Sequence, residues 1–136
     1  IGIVDYLQLI KKPTTLDNIA NKIGYISNGL KIIALELQIP LVVVAQVNRE
    51  SAKEDRPPRM SDIRGSGEIE QDADQIFSIF RPQGHKNPGY DLHHEKGRNT
   101  GEMDEPASLW YETDCQRILP IVNGMEVLPK VYDEYR

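Results

Sequence analysis

The chain has 136 residues, of which 39% are hydrophobic and 27% charged, and a formal net charge of −5. That is one domain's length and an ordinary folded composition, which argues against a disordered chain, a collagen-like repeat or a disulfide scaffold. The acidic balance excludes a uniformly basic protein that coats nucleic acid, while leaving room for a local phosphate-binding patch or the lumen of a ring.

Cys115 is the single cysteine; it has no disulfide partner and no neighbour at metal-ligand spacing, and is read as structural in a reducing compartment. No stretch approaches the roughly 20 apolar residues that span a bilayer, and no basic region precedes an apolar run as in a signal peptide, so a cytoplasmic protein is expected.

In chain order, the run from Ile1 to Ile10 is apolar and β-branched and is closed by Lys11, Lys12 and Pro13. It predicts a strand buried on both faces, interrupted by a buried Asp5. The run opens in mid-strand with neither methionine nor polar lead-in, so the chain is expected to be a fragment. Thr14, Thr15 and a capping Asp17 then precede Ile19, Ile23, Ile26, Leu30, Ile33 and Leu37, whose alternating spacing predicts an amphipathic helix ending near Gln38. Gly24 and Gly29 inside it each cost about 1 kcal/mol relative to alanine, so tertiary packing must hold the helix. Pro40 stops it, and Leu41 to Ala45 predicts a second fully buried strand, ending in the polar run Gln46 to Arg49.

Strand, helix and strand at this spacing form a βαβ unit with parallel strands, whose carboxyl ends share one edge. Ligands of open parallel sheets bind beyond that edge, which brings Asp5 and Gln46 to one place. From Arg49 to Arg64 mixed charges and Pro57-Pro58 predict a long polar loop. Glu68 to Asp74 predicts a short helix, and Gln75 to Phe80 a strand. Tyr90 to Arg98, Ala107 to Thr113 and Arg117 to Ile121 follow as shorter strands, a meandering β-rich end to an α/β domain. Residues 1–122 are assigned to the domain and 123–136 to a weakly patterned tail.

A carboxylate at the end of a parallel strand can hold Mg²⁺ while the metal bridges nucleotide phosphates. Asp5 serves that chemistry or simply caps a neighbouring loop. Gln46 senses a terminal phosphate or is a strand's ordinary polar end.

Ile3-Val4-Asp5-Tyr6-Leu7-Gln8-Leu9-Ile10 resembles the Walker B strand of DnaB-type replicative helicases. Leu35 to Pro40 followed by Val44 to Arg49 is similar to that family's helix-to-strand step with its phosphate-sensing glutamine, Gln46. Ser61-Asp62-Ile63-Arg64-Gly65-Ser66-Gly67-Glu68-Ile69-Glu70-Gln71-Asp72-Ala73-Asp74 resembles its signature for the DNA-facing loop and following helix. Glu95-Lys96-Gly97-Arg98-Asn99-Thr100-Gly101 resembles its lysine and arginine-finger strand. The four motifs fall in the family's order and cover roughly residues 1 to 120.

The resemblance implies the C-terminal half of a RecA-like P-loop NTPase domain, from the Walker B strand onward. It implies an ATP-dependent helicase that moves on single-stranded DNA and unwinds the duplex at a replication fork. ATP and Mg²⁺ are the implied cofactors, with a homo-hexamer, a primase and a helicase loader as implied partners and no membrane.

Within this resemblance Asp5 is the metal carboxylate and Gln46 the sensor. Lys96 and Arg98, on one face of a strand, reach a neighbouring subunit's nucleotide. Arg64 follows the DNA backbone while Gly65 and Gly67 permit a tight turn that offers N–H groups to phosphate. Arg64 read without the resemblance is a solvated arginine or a partner of Asp62, and Lys96 and Arg98 are a charged strand edge.

The family usually has glutamate where this chain has Gly65, and the bacterial cellular pattern has a Gly-Pro before the threonine that is missing here, as in phage helicases. His85, His93 and His94 form no zinc pattern with Cys115. No G-x-x-x-x-G-K-[ST] stretch occurs in these residues, so they are expected not to hydrolyse ATP alone. The competing functions are a DNA-dependent ATPase of recombinase type and a split-helicase scaffold that never turns over ATP.

Overall fold

The computed structural model describes residues 1–11, 19–48, 53–63, 66–81, 89–101, 105–112, 116–122 and 125–126. Two sheets organise them. Strand β1 (Gly2–Val4) pairs in parallel with β2 (Leu41–Val43), Ile3 standing opposite Val42. Helix α1 (Ile19–Leu37) connects the two in sequence. After a second helix, α2 (Ser66–Asp72), come β3 (Gln75–Phe80), β4 (Gly89–Gly97), β5 (Ala107–Glu112), β6 (Arg117–Val122) and β7 (Met125–Glu126). These five form an antiparallel meander in chain order.

The parallel pair, both helices and the strands from Gln75 to Val122 stand close to where the residue pattern puts them, whereas β7 falls in the stretch read as a weakly patterned tail. The opening run departs from expectation. Only Gly2–Val4 is strand, and Leu7–Leu9 turns into a single 3-10 turn. The reason lies in Leu7, which is buried with Ile23 and Ile26 of α1 in the core, against Ile10, Leu30, Ala45 and Ile69. A continuing strand would alternate its side chains across the sheet, whereas the turn sends Leu7 under α1. The Leu7 amide still donates to the Val44 carbonyl at 2.8 Å, so the turn stays tied to β2.

Neither strand of the pair is buried on both faces: Ile3 is 70% and Val42 48% exposed. With two strands in this sheet among the described residues, α1 and the turn do not cover it. The apolar stripe of α1 is likewise buried only through its middle, since Ile33 and Leu37 lie beyond the reach of Leu7 and Ile69 and are exposed. The helix ends as predicted: Gln38 takes a left-handed φ of 52°, the Ile39 amide donates to the Ala34 carbonyl at 3.2 Å, and Pro40 follows.

Gly24 is buried where α1 passes α2, and a Cβ built there would stand 2.6 Å from Glu68 Cγ. The propensity lost at this glycine is thus exchanged for a close helix approach. Nothing lies within 4 Å of the corresponding position at Gly29.

The long polar loop is more ordered than its charges imply. Met60–Asp62 forms a 3-10 turn, and Ile63 makes an antiparallel bridge to Val47.

Candidate nucleotide and DNA site

The parallel register sets the carboxyl ends of β1 and β2 side by side, Val4 opposite Val43. Asp5, Tyr6, Val44, Ala45 and Gln46 line one open hollow of about 340 Å³ there. Asp5 is exposed, not buried, because the chain leaves the sheet at this residue to enter the 3-10 turn. Its carboxylate therefore faces solvent without a burial cost, the state in which an oxygen ligand can take a hydrated Mg²⁺. Among the described residues no three His, Cys, Asp or Glu side chains gather into a cluster. One carboxylate beside open space fits a magnesium ion held mostly by water and phosphate oxygens better than a closed all-protein cage.

Sequence reasoning missed Gln8. Its side-chain nitrogen donates to the Gln46 carbonyl at 3.1 Å, and its side-chain oxygen accepts from the Gln46 amide at 3.2 Å. This double contact fixes the backbone of Gln46 and leaves its side chain free to face the hollow. The available signal was a lone amide between Leu7 and Leu9, a polar group in an apolar run that needs a partner.

Lys96 lies on β4 and Arg98 just past its end at Gly97, not on one strand as expected, and with Gly67, Glu70 and Gln71 they line a second hollow of about 420 Å³. A bulge prepares this position. Ile76 stands opposite Lys96 and Phe77 opposite His94, so Glu95 has no residue opposite it. The extra residue carries a carboxylate that accepts from the Ser78 hydroxyl at 2.8 Å. Gly97 between the two cations admits no side chain, since a Cβ would lie 2.6 Å from the Gly101 carbonyl oxygen and from His94 Cε1.

Both cations reach the C-terminal end of α2. The Lys96 ammonium donates to the Glu70 carbonyl and, at 2.9 Å, to that of Ala73. The Arg98 guanidinium donates to the Gln71 carbonyl and lies 3.3 Å from the Asp74 carboxylate. Positive groups on the unpaired carbonyls of a last helical turn are favourably placed. Asp74 also meets Lys31 of α1 at 2.7 Å, and this partner, with a smaller field from Arg98 and Lys96, lowers its pKa. Arg98 keeps 44% of its side chain exposed, so its contacts leave it accessible from outside the chain.

Gly67 is helical, the second residue of α2, with open space around it. It lies in a helix and not in the tight turn expected of it, which corrects that expectation. Arg64 and Gly65 lie outside the described residues, as do Cys115 and His85. Asp62, weighed as a partner for Arg64, pairs with Arg56.

The profile described as DnaB-like helicase C terminal domain matches residues 1–117. The chain belongs to the DnaB-like helicase C-terminal domain family. Among curated relatives, the replicative DNA helicase DnaB of Rickettsia bellii is 47% identical over 81 residues, 59% of this chain and 16% of that protein. The replicative DNA helicase DnaB of Helicobacter pylori is 33% identical over 125 residues, 91% of this chain and 26% of that protein.

Two solved structures agree. The ATPase domain of G40P superposes with a TM-score of 0.78 at 28% identity, covering 88% of this chain and 44% of that one. A DnaB-like replicative helicase, solved with attention to its interactions with primase, gives a TM-score of 0.71 at 31% identity, covering 82% of this chain and 27% of that one. The fold is thus an α/β portion of the RecA-like ATPase domain of DnaB-like helicases. The chain spans from about a sixth to a quarter of the two curated relatives named.

Proposed function

We propose that this DnaB-like chain is the motor part of an ATP- and Mg²⁺-dependent replicative helicase, a ring of six like subunits moving on single-stranded DNA and separating the duplex at a fork. The observation that carries this reading is the hollow shared by Asp5 and Gln46 at the carboxyl edge of the parallel pair. In this reading Asp5 holds the magnesium ion that accompanies the nucleotide, and Gln46, its backbone pinned by Gln8, responds to the terminal phosphate.

Lys96 and Arg98 act in trans. Their contacts with α2 hold them together on one surface, from which two adjacent cations neutralise charge developing on the phosphoryl group at the neighbouring subunit. Arg64 and Gly65, which precede α2 in sequence, are the residues proposed to meet DNA phosphates, through one guanidinium and backbone amides, with little net positive charge. This removes the conflict between an acidic chain and a nucleic-acid partner.

The 136 residues by themselves are proposed to be inactive, since they contain no phosphate-cradling G-x-x-x-x-G-K-[ST] loop. Primase and a loader are the expected further partners, and the bacterial cytoplasm the expected compartment. A whole subunit carrying this chain is expected to unwind forked DNA only with ATP and Mg²⁺. Strand exchange or DNA-stimulated ATPase activity without unwinding would instead support the recombinase-type reading.

A further inference from the structure

Asp74 stands between two cations from different parts of the chain. Its Oδ2 accepts from the Lys31 ammonium of α1 at 2.7 Å, and its Oδ1 lies 3.3 Å from Arg98 Nη1. Its backbone takes part as well, since the Asp74 carbonyl accepts from the Arg98 amide at 2.8 Å. With the Gln71 carbonyl as a further acceptor, both the main chain and the guanidinium of Arg98 are held by residues at the end of α2 or just beyond it.

The arrangement poses an electrostatic problem. A carboxylate aims a guanidinium well, but it also cancels the charge that a trans arginine is there to supply. Lys31 resolves the conflict. Its contact with Asp74 is the shorter of the two, and it is the leading cause of that carboxyl's lowered pKa, ahead of the fields of Arg98 and Lys96. The charge of Asp74 is thus taken up from α1, and Lys31, Asp74 and Arg98 together stay net positive, with Lys96 beside them.

Stability does not account for the pairing, because the Asp74 side chain is 59% exposed and an exposed ion pair adds little.

We propose that Lys31 is a positioning residue for the trans arginine: by neutralising Asp74 it lets that carboxylate orient Arg98 without cancelling its charge. Lys31 acts through Asp74, and the inference rests on the reading of Arg98 as a cation that serves a neighbouring subunit's nucleotide.

The test is steady-state ATP turnover by the full helicase ring, with kcat and KM read separately. Lys31→Met keeps the reach of the side chain but loses its charge. Its kcat is expected to fall about ten- to a hundredfold with KM within about twofold, the signature of a catalytic group weakened or displaced in the transition state. Lys31→Arg keeps the charge and is expected to retain most of the turnover. When Lys31→Met is combined with Asp74→Asn, the amide oxygen still accepts from Arg98 but carries no charge. The double variant is therefore expected to turn over faster than Lys31→Met alone.

An ion pair that only braces α1 against the end of α2 would be lost equally in Lys31→Met and in the double variant. A double variant no faster than Lys31→Met, or a Lys31→Met ring with unaltered turnover, overturns the inference. Arg98→Ala is run alongside. If its ring keeps full turnover, the reading of Arg98 itself is overturned, whereas loss in Arg98→Ala beside unaltered Lys31→Met overturns the role of Lys31 alone.

Discussion

The close passage of α1 over α2 brings Gly24 against Glu68, and two glycines test it. Alanine in a helix interior is favoured over glycine by about 1 kcal/mol. At Gly29 a new Cβ meets nothing within 4 Å, so Gly29→Ala is expected to stabilise by about that amount. At Gly24 the same Cβ would stand 2.6 Å from Glu68 Cγ, 3.1 Å from its Cβ and 3.3 Å from its Cδ.

Only the Cβ is fixed to the backbone of α2 and retreats only if the helix does, while Cγ and Cδ can swing away at the cost of another rotamer. Overpacking of this kind costs about 1–3 kcal/mol, so Gly24→Ala is expected to be neutral to destabilising by about 2 kcal/mol. The propensity gain is common to both variants and cancels, so their difference reads the clash alone. Thermal melting of the ATPase domain reports it as a separation of a few degrees or more, at roughly 2–8 °C per kcal/mol. Adding Glu68→Ala to Gly24→Ala removes the crowded Cγ and Cδ and is expected to recover part of the loss, a coupling a double-mutant cycle isolates. Equal stabilisation by Gly24→Ala and Gly29→Ala would refute the packing of α1 on α2.

Other predictions concern charge. The Arg56 guanidinium and the Arg59 amide hold the Asp62 carboxyl at about 2, below its ordinary 3.8. A depressed carboxyl contributes its stabilisation above the unfolded value and loses it as pH falls through the folded one. The Met60–Asp62 turn is therefore expected to stay ordered down to about pH 4 and to loosen between there and about pH 2. Carbon-detected NMR titration of Asp62 checks this, and a midpoint near 4 would contradict the ion pair. Arg64→Ala is expected to weaken single-stranded DNA binding and to reduce the salt slope by about one, with ATPase activity unchanged in the absence of DNA. An unchanged slope in an affinity series at rising salt would remove Arg64 from the phosphate contacts.

Much of this was legible in the residues because local pattern and tertiary role agree there. Gln75 to Phe80 and the strands after it are bounded by turn residues, and Pro40 with Gln38 ends α1 where its periodicity ends. The pairing of Asp5 with Gln46 followed from one rule about parallel strands.

The failures share a cause, since apolar content does not say which partner buries a residue. Ile1 to Ile10 reads as one strand, but Leu7 packs under α1 and bends the chain after Val4. Ile33 and Leu37 continue the stripe of α1 past the residues that cover it. The loop before α2 defeated pattern reading for another reason. With Glu54, Asp55, Arg56, Arg59 and Asp62 close together, many ion pairs are sterically open, and only the buried position of Asp62 selects Arg56. The motif itself carried the last correction, since Gly67 looks like a turn glycine yet sits in the first turn of α2.

The central claim, that this chain completes a neighbour's nucleotide site in an ATP-driven ring, is tested most directly by mixing Arg98→Ala subunits into rings of unaltered ones. Loss of a trans cation lowers turnover by about 10³ to 10⁵ at each affected interface. ATP turnover is therefore expected to fall with the fraction of altered subunits and to vanish in the all-variant ring, while nucleotide binding stays nearly intact. Turnover that is indifferent to the mixing ratio would leave Arg98 as no more than a cap on the last turn of α2, and would contradict the account.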